Sequence, residues 1–182
     1  MSEISITLPL NENTINQLKS GDEVLLNGKI YTARDAAHKK LLGLLQSAQK
    51  LPLDILGQVF YYTGPCPAPE GKPIGTAGPT TSDRMDPFTP TLLTLGLKGM
   101  IGKGPRSPQV RSAIVRNKAI YFGAIGGAGA LLAKSIKSSR IIAFPELDSE
   151  AIRELEVENF PAIVINDAHG NDLYEQRNTI NA

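Results

Sequence analysis

Ala119-Ile120-Tyr121-Phe122-Gly123-Ala124-Ile125-Gly126-Gly127-Ala128-Gly129 opens the last third of the chain as an apolar run that dissolves into glycine. The run up to Gly123 predicts a buried strand, and the small residues from Ala128 to Ile136 predict a helix. Ile141-Ile142-Ala143-Phe144 predicts a second strand. Ser149 to Val157 predicts an amphipathic helix capped by Ser149 or Asp148, and Ala162-Ile163-Val164-Ile165 a third strand. Strand, helix, strand, helix, strand implies an α/β fold with a largely parallel sheet covered by helices.

Upstream, Ile4, Ile6 and Leu8 alternate with small polar residues, the period of a half-buried strand. Val24-Leu25-Leu26 and Lys29-Ile30-Tyr31 flank Asn27-Gly28, a strong hairpin signal, so this N-terminal part is expected to be more antiparallel. Thr32 is placed to cap a helix with Ala36, Ala37, Leu41, Leu42, Leu44 and Leu45 on its apolar face, up to about Lys50. Val59-Phe60-Tyr61-Tyr62 reads as a strand and Pro90 to Leu97 as a short helix. Between them, Thr63 to Pro90 holds most of the prolines, too irregular for a core element and too hydroxyl-rich for a plain linker.

The 182 residues suit one domain over 1–182, and 41% hydrophobic with 20% charged residues is ordinary globular composition. A net charge of +1 removes the electrostatic case for nucleic acid or an acidic membrane surface. No apolar run reaches the roughly 20 residues that cross a bilayer. Met1 to Thr7 has neither the basic region nor the apolar stretch of a secretion signal. A single cysteine, Cys66, makes no internal disulfide and no zinc site, so a cytoplasmic protein is expected. Without tryptophan, and with 5% aromatics, the core must be mainly aliphatic.

Six segments are candidates for chemistry. Gly78-Pro79-Thr80-Thr81-Ser82-Asp83-Arg84-Met85-Asp86 sets hydroxyls, two carboxylates and a guanidinium behind a Gly-Pro turn. It reads as part of an acid-binding site, since arginine grips carboxylates with two parallel hydrogen bonds, or as a capped surface loop. Arg34 and His38, four apart at a helix start, share a face and run against the dipole preference. A bound anion would relieve that conflict; Asp35 on a surface helix is the plainer account. Gly102-Lys103-Gly104 lacks the spacing of a phosphate loop, but its glycines let the backbone bring Lys103 to a ligand. Gly127 and Gly129 would need a third glycine where Leu132 stands, so the dinucleotide pattern fails and close packing accounts better for the glycines. Asn166-Asp167-Ala168-His169-Gly170-Asn171-Asp172 looks like an Asx-built turn, and Gly64-Pro65-Cys66-Pro67 like a rigid turn.

Taken in order, Arg34 to His38, Gly78 to Asp86, Gly102 to Gly104, Tyr121 to Gly129 and Asn166 to Asp172 resemble the β subunit, or C-terminal domain, of the iron–sulfur class I fumarate hydratases, a family that includes the L(+)-tartrate dehydratase β subunit. The resemblance covers the chain from about residue 10. It implies a swivelling β/β/α domain, mixed sheets with helices, and reversible hydration of fumarate to (S)-malate. It also implies a four-iron, four-sulfur cluster held by cysteines of an α subunit, with no metal held by this chain and no activity without that partner. By the same resemblance Arg34, Arg84 and Lys103 bind substrate carboxylates, with Thr81 beside them. Thr80 acts in proton transfer with an α-subunit aspartate, and His38, Asp35 and Asp86 support the site. A small dicarboxylate, the α subunit and a pairing of αβ units are the expected partners; nucleic acid and membrane are not. Pro105 stands where relatives often carry asparagine. Asp83 stands where many carry glycine, and a carboxylate beside Arg84 competes with the substrate's own.

Two rivals stand beside the fumarate reading. One is a tartrate or other hydroxy-acid dehydratase of the same architecture. The other is a stand-alone dicarboxylate-binding regulatory module that keeps Arg34, Arg84 and Lys103 without a partner. A nicotinamide enzyme ranks behind both because of the failed glycine pattern.

Overall fold

A computed structural model of the chain describes residues 3–124 and 128–180. Its elements run β1 (Ile4–Thr7), α1 (Glu12–Gln17), β2 (Glu23–Thr32), α2 (Asp35–Gln46), β3 (Val59–Tyr61), α3 (Thr89–Thr94), β4 (Gly99–Gly102), α4 (Pro108–Arg116), β5 (Ile120–Gly123), α5 (Gly129–Lys134), β6 (Ile136–Ala143), β7 (Ile152–Asn166) and α6 (Leu173–Ile180). Short 3-10 turns cover Ser82–Met85 and Pro145–Glu150.

The strands form one seven-stranded sheet in the order β1-β2-β3-β4-β5-β7-β6. Neighbours from β1 to β5 are parallel. β7 runs antiparallel to β5, to β6 and also to β2. That last pairing closes a ring, β2–β3–β4–β5–β7, with β1 and β6 appended. Side chains alternate across its wall as strand geometry demands. Leu26, Ile30, Val59, Tyr61, Ile101, Phe122, Phe160 and Val164 meet in one buried cluster. Phe60, Tyr62, Met100, Tyr121 and Ile165 face the other way, packing with Ala37 and Leu41 of α2, Leu92 of α3 and Ile114 of α4. Each large side chain so buried contributes about 1.5–3 kcal/mol.

The expected α/β class with a mixed sheet and helices is what the chain forms. Several local expectations are corrected. Residues 152–157, expected as the body of a helix, are strand, because Leu155 and Val157 turn inward while Glu154 and Glu158 stay outside. Pairing on both edges overrides the helix propensity of the glutamates. Glu154 is anchored across strands by Lys29 at 3.4 Å and Arg140 at 3.0 Å. The parallel pairs therefore lie among β1 to β5, not in the last third.

The hairpin expected at Asn27-Gly28 is also replaced. β2 passes straight through with a bulge between Leu26 and Gly28, and its antiparallel partner is β7. Gly28 sits at φ 117, and a Cβ there would come within 3.2 Å of the Leu8 carbonyl oxygen, so only glycine fits the bulge. Thr32 ends β2 instead of capping α2. Its hydroxyl donates to the Ala151 carbonyl at 3.0 Å and accepts from the Arg153 amide at 2.9 Å.

Candidate functional site

Because β2, β3, β4 and β5 run parallel, their C-terminal ends open on one rim, the usual place for ligands in such sheets. Arg34 follows β2, Tyr62 and Thr63 follow β3, and Lys103 follows β4. The Gly78–Asp86 segment is laced onto this rim. The Thr80 amide donates to the Tyr62 carbonyl at 2.6 Å, and the Thr63 hydroxyl to the Gly78 carbonyl at 2.7 Å. Thr81 pairs in parallel with Lys103, and the Ser82 amide donates to the Lys103 carbonyl at 2.9 Å. Gly102 permits this approach: a Cβ there would lie 1.9 Å from Ser82 Oγ. Thr80, Thr81 and Lys103 are thus side by side. Among the described residues neither threonine hydroxyl has a hydrogen-bond partner, and Lys103, exposed, has no ion pair.

Arg34 and Arg84 are joined through Asp35. Arg84 Nε donates to Asp35 Oδ1 at 2.9 Å. Asp35 Oδ2 lies 3.6 Å from Arg34 Nε, and Glu150 Oε1 3.4 Å from the same nitrogen. Arg84 is therefore held at Nε by a hydrogen bond, whereas Arg34 Nε is buried beside two carboxylates with no hydrogen bond of its own among the described residues. The Nη edge of Arg84, on a side chain 51% exposed, has no partner among the described residues. That edge is the one that grips a carboxylate bidentately. Asp83 makes no ion pair with Arg84, so the expected competition is not built into the geometry.

His38 is brought near Arg34 but turned inward. Fully buried among Phe60, Tyr62 and Phe88, its Nδ1 hydrogen-bonds the Arg34 carbonyl at 2.8 Å. Nδ1–H must donate, since a carbonyl only accepts, and Nε2 has no partner among the described residues. Burial lowers its pKa from 6.5 to about 4, with Arg106 adding to the effect, so His38 is neutral at pH 7.

Asp86, two residues after Arg84, serves the loop beyond Lys103. It accepts from Arg106 Nε at 2.7 Å and from the Ser107 amide at 2.7 Å. Sequence reasoning missed Arg106, Glu150 and Gly64 as members of the site. Gly64 makes room for Arg34, since a Cβ there would lie 2.7 Å from Arg34 Nη1. Asp86 ends the hydroxyl segment and Arg106 stands just past Gly104 in sequence, but nothing in that spacing says that they pair.

The other segments behave as turns. Asp167 accepts from the amides of Ser20, His169 and Asn171 at 2.9–3.0 Å, the expected Asx turn. Burial opposes ionisation there, yet these bonds and the Asn171 side chain hold its carboxyl below the usual range. Cys66 is pinned by its amide to the Thr76 carbonyl at 2.9 Å, and the Thr76 hydroxyl donates to its sulfur at 3.1 Å. At the glycine segment, residues 125–127 lie outside the described residues. Gly129 packs directly on Gly78, where a Cβ would meet the Gly78 nitrogen at 2.9 Å, so this glycine serves close approach. Among the described residues no group of three or more His, Cys, Asp or Glu side chains is placed to hold a metal, and no helix is long and apolar enough to cross a membrane.

Residues 1–177 match the family model described as Fumarase C-terminus. Fumarate hydratase class I, anaerobic, of Escherichia coli is 39% identical over 96% of this chain and 32% of its own length. Fumarate hydratase 2 of Leishmania major is 41% identical over 89% of this chain and 29% of its own. A Methanocaldococcus jannaschii protein provisionally named L(+)-tartrate dehydratase subunit beta is 40% identical over 93% of this chain and 90% of its own. The chain thus spans about a third of the fumarate hydratases and most of the tartrate dehydratase subunit. With a family model matching nearly end to end, the chain belongs to the Fumarase C-terminus family.

Proposed function

We propose that this chain is the β component of an iron–sulfur hydro-lyase that reversibly hydrates fumarate to (S)-malate. The observation that carries the reading is the pair of arginines on either side of Asp35, Arg84 bonded to it and Arg34 ion-paired with it, on the rim that also carries Lys103 and two threonine hydroxyls without partners among the described residues, in a chain about 40% identical to fumarate hydratases. A dicarboxylate needs two cationic grips. Arg34, Arg84 and Lys103 supply them on one rim, with Thr81 lining the site. Asp35 orients Arg84 and offsets the charge of Arg34, and His38 holds the Arg34 backbone. Thr80 takes part in proton transfer; a hydroxyl is a poor base alone, so it acts with a carboxylate from the partner.

This chain does not fit the family's four-iron, four-sulfur cluster. Such a cluster takes several cysteine thiolates, and the one cysteine here is exposed and bound into the Thr76 turn. In this reading the cluster comes with a partner α subunit, and the chain's own residues bind, orient and handle the proton.

The 90% coverage of the archaeal tartrate dehydratase subunit supports a second substrate reading. Assaying the assembled enzyme on fumarate, mesaconate and L-tartrate tests both. Fumarate with the highest kcat/KM supports the proposal, and L-tartrate as the best substrate overturns it in favour of the second. Tight dicarboxylate binding by the lone chain, with no turnover on assembly, would point to the stand-alone module.

Gly64→Ala probes the grip separately from the fold. The added Cβ collides with Arg34 Nη1, the mobile end of a long side chain. The thermal midpoint should move by only a few degrees, while kcat/KM falls about tenfold or more as Arg34 is displaced. Melting curves and initial rates on the same preparation check this.

A further inference from the structure

The segments carrying Arg84 and Lys103 are joined underneath by a buried polar cluster. The Arg106 side chain is fully buried. Its Nε donates to Asp86 Oδ1 at 2.7 Å, its Nη2 to Thr89 Oγ1 at 2.8 Å, and its Nη1 points at Met100 Sδ, 3.6 Å away. The guanidinium lies 4.9 Å from the Tyr121 ring centroid and 5.4 Å from that of Tyr62. Asp86 Oδ2 takes the Ser107 amide at 2.7 Å, and the Tyr121 hydroxyl lies 2.8 Å from the Gly104 carbonyl and 2.9 Å from Ser82 Oγ. These residues lie within a few positions of Arg84 or Lys103, on β4 and β5 beneath them, or, for Tyr62, just past the end of β3.

A buried ion pair is a poor way to gain stability, since desolvation consumes most of the attraction. It is a good way to fix one segment against another, because a planar guanidinium held at Nε by Asp86 and at Nη2 by Thr89 tolerates little displacement. We infer that Arg106 and Asp86 are positioning residues that set the spacing between Arg84 and Lys103, and hence the dicarboxylate length that the site accepts. This rests on the dicarboxylate reading above, but the contacts within this chain can be tested without it.

Arg106→Lys keeps the charge and loses the fork; Asp86→Asn keeps the shape and removes the charge that Arg106 Nε meets, and serves if Arg106→Lys fails to fold. Thr89→Val, which also removes the bond from the Thr89 hydroxyl to the Met85 carbonyl beside Arg84, is the less selective variant. In the assembled enzyme, Arg106→Lys should raise the KM for the dicarboxylate about tenfold or more with a smaller change in kcat, because both carboxylate grips shift together. Asp86→Asn should do the same to a lesser degree. In the isolated chain, the Arg84 Nε–Hε resonance should move in whichever of these two variants is folded by circular dichroism, although neither substitution removes a bond of the Arg84 side chain. An unmoved Arg84 resonance in a folded variant overturns the proposal whatever the enzyme does. So does an unchanged KM with fewer active molecules, the signature of a purely structural role. A moved resonance in a chain whose assembled form hydrates nothing would sink the fumarate reading and leave this coupling standing.

Discussion

Arg84→Ala is expected to lower kcat/KM of the assembled enzyme by about a thousandfold, while the variant folds like the parent. Removing one side of a charge-assisted carboxylate grip costs about 2–5 kcal/mol, and each 1.36 kcal/mol is a factor of ten. Stability is nearly untouched, because Arg84 sits in a 3-10 turn with its side chain 51% exposed. Its ion pair to Asp35 is of the half-exposed kind that contributes about 0–1 kcal/mol. Arg84→Lys should recover only part of the loss, since an ammonium cannot donate two parallel bonds. Rates and a urea unfolding curve for the same preparations decide the matter. Loss of folding would make Arg84 a structural residue, and full activity would remove it from the site.

The second large effect concerns acid. His38 in the folded chain stays neutral down to about pH 4, because burial penalises its charged form; unfolded, it takes up a proton near 6.5. Between those values the unfolded state binds more protons, so stability falls as pH falls and the loss levels off below 4. The full difference is about 3 kcal/mol. The groups that bear on the imidazole are Arg106, which adds to the depression, and Asp35 and the Arg34 carbonyl, which oppose it. His38→Gln can still donate a bond to the Arg34 carbonyl and does not titrate. Urea midpoints at pH 7 and pH 4 should show the parent losing about 3 kcal/mol more than His38→Gln, with the carboxylates common to both cancelling. Equal losses would mean that His38 is hydrated or charged in the folded chain.

Much of the site was legible because it is written locally. Gly78 to Asp86 sits in nine consecutive residues, and its hydroxyls and arginine lie on the rim that the parallel strands create. The apolar runs at Val59, Ile120 and Ile163 lie in β3, β5 and β7 because they are apolar on both faces. What escaped notice depends on distant pairing. Residues 152–157 carry helix-forming glutamates, and only β2 and β6, far away in sequence, make them strand. The hairpin at Asn27-Gly28 failed because Leu8 and Asn159 approach from elsewhere and turn a turn signal into a bulge. The helix α4 went unnoticed although Ser107 caps it and Pro108 begins it, a local signal that was there to be read. Arg106 could not be placed from spacing, since nothing in a lone Arg-Ser pair says that its guanidinium will be buried against Asp86.

The central claim is that this chain carries the dicarboxylate grip and a partner carries the cluster. Its most direct test is a titration under anaerobic, iron-replete conditions, following fumarate absorbance as a cluster-bearing α subunit is added to a fixed amount of this chain. The account predicts no hydration by the chain alone, a rise with added partner that saturates at a fixed ratio, and no rise with the Arg84→Ala chain. Fumarate hydration by the chain alone, or the same rise with Arg84→Ala, would contradict it.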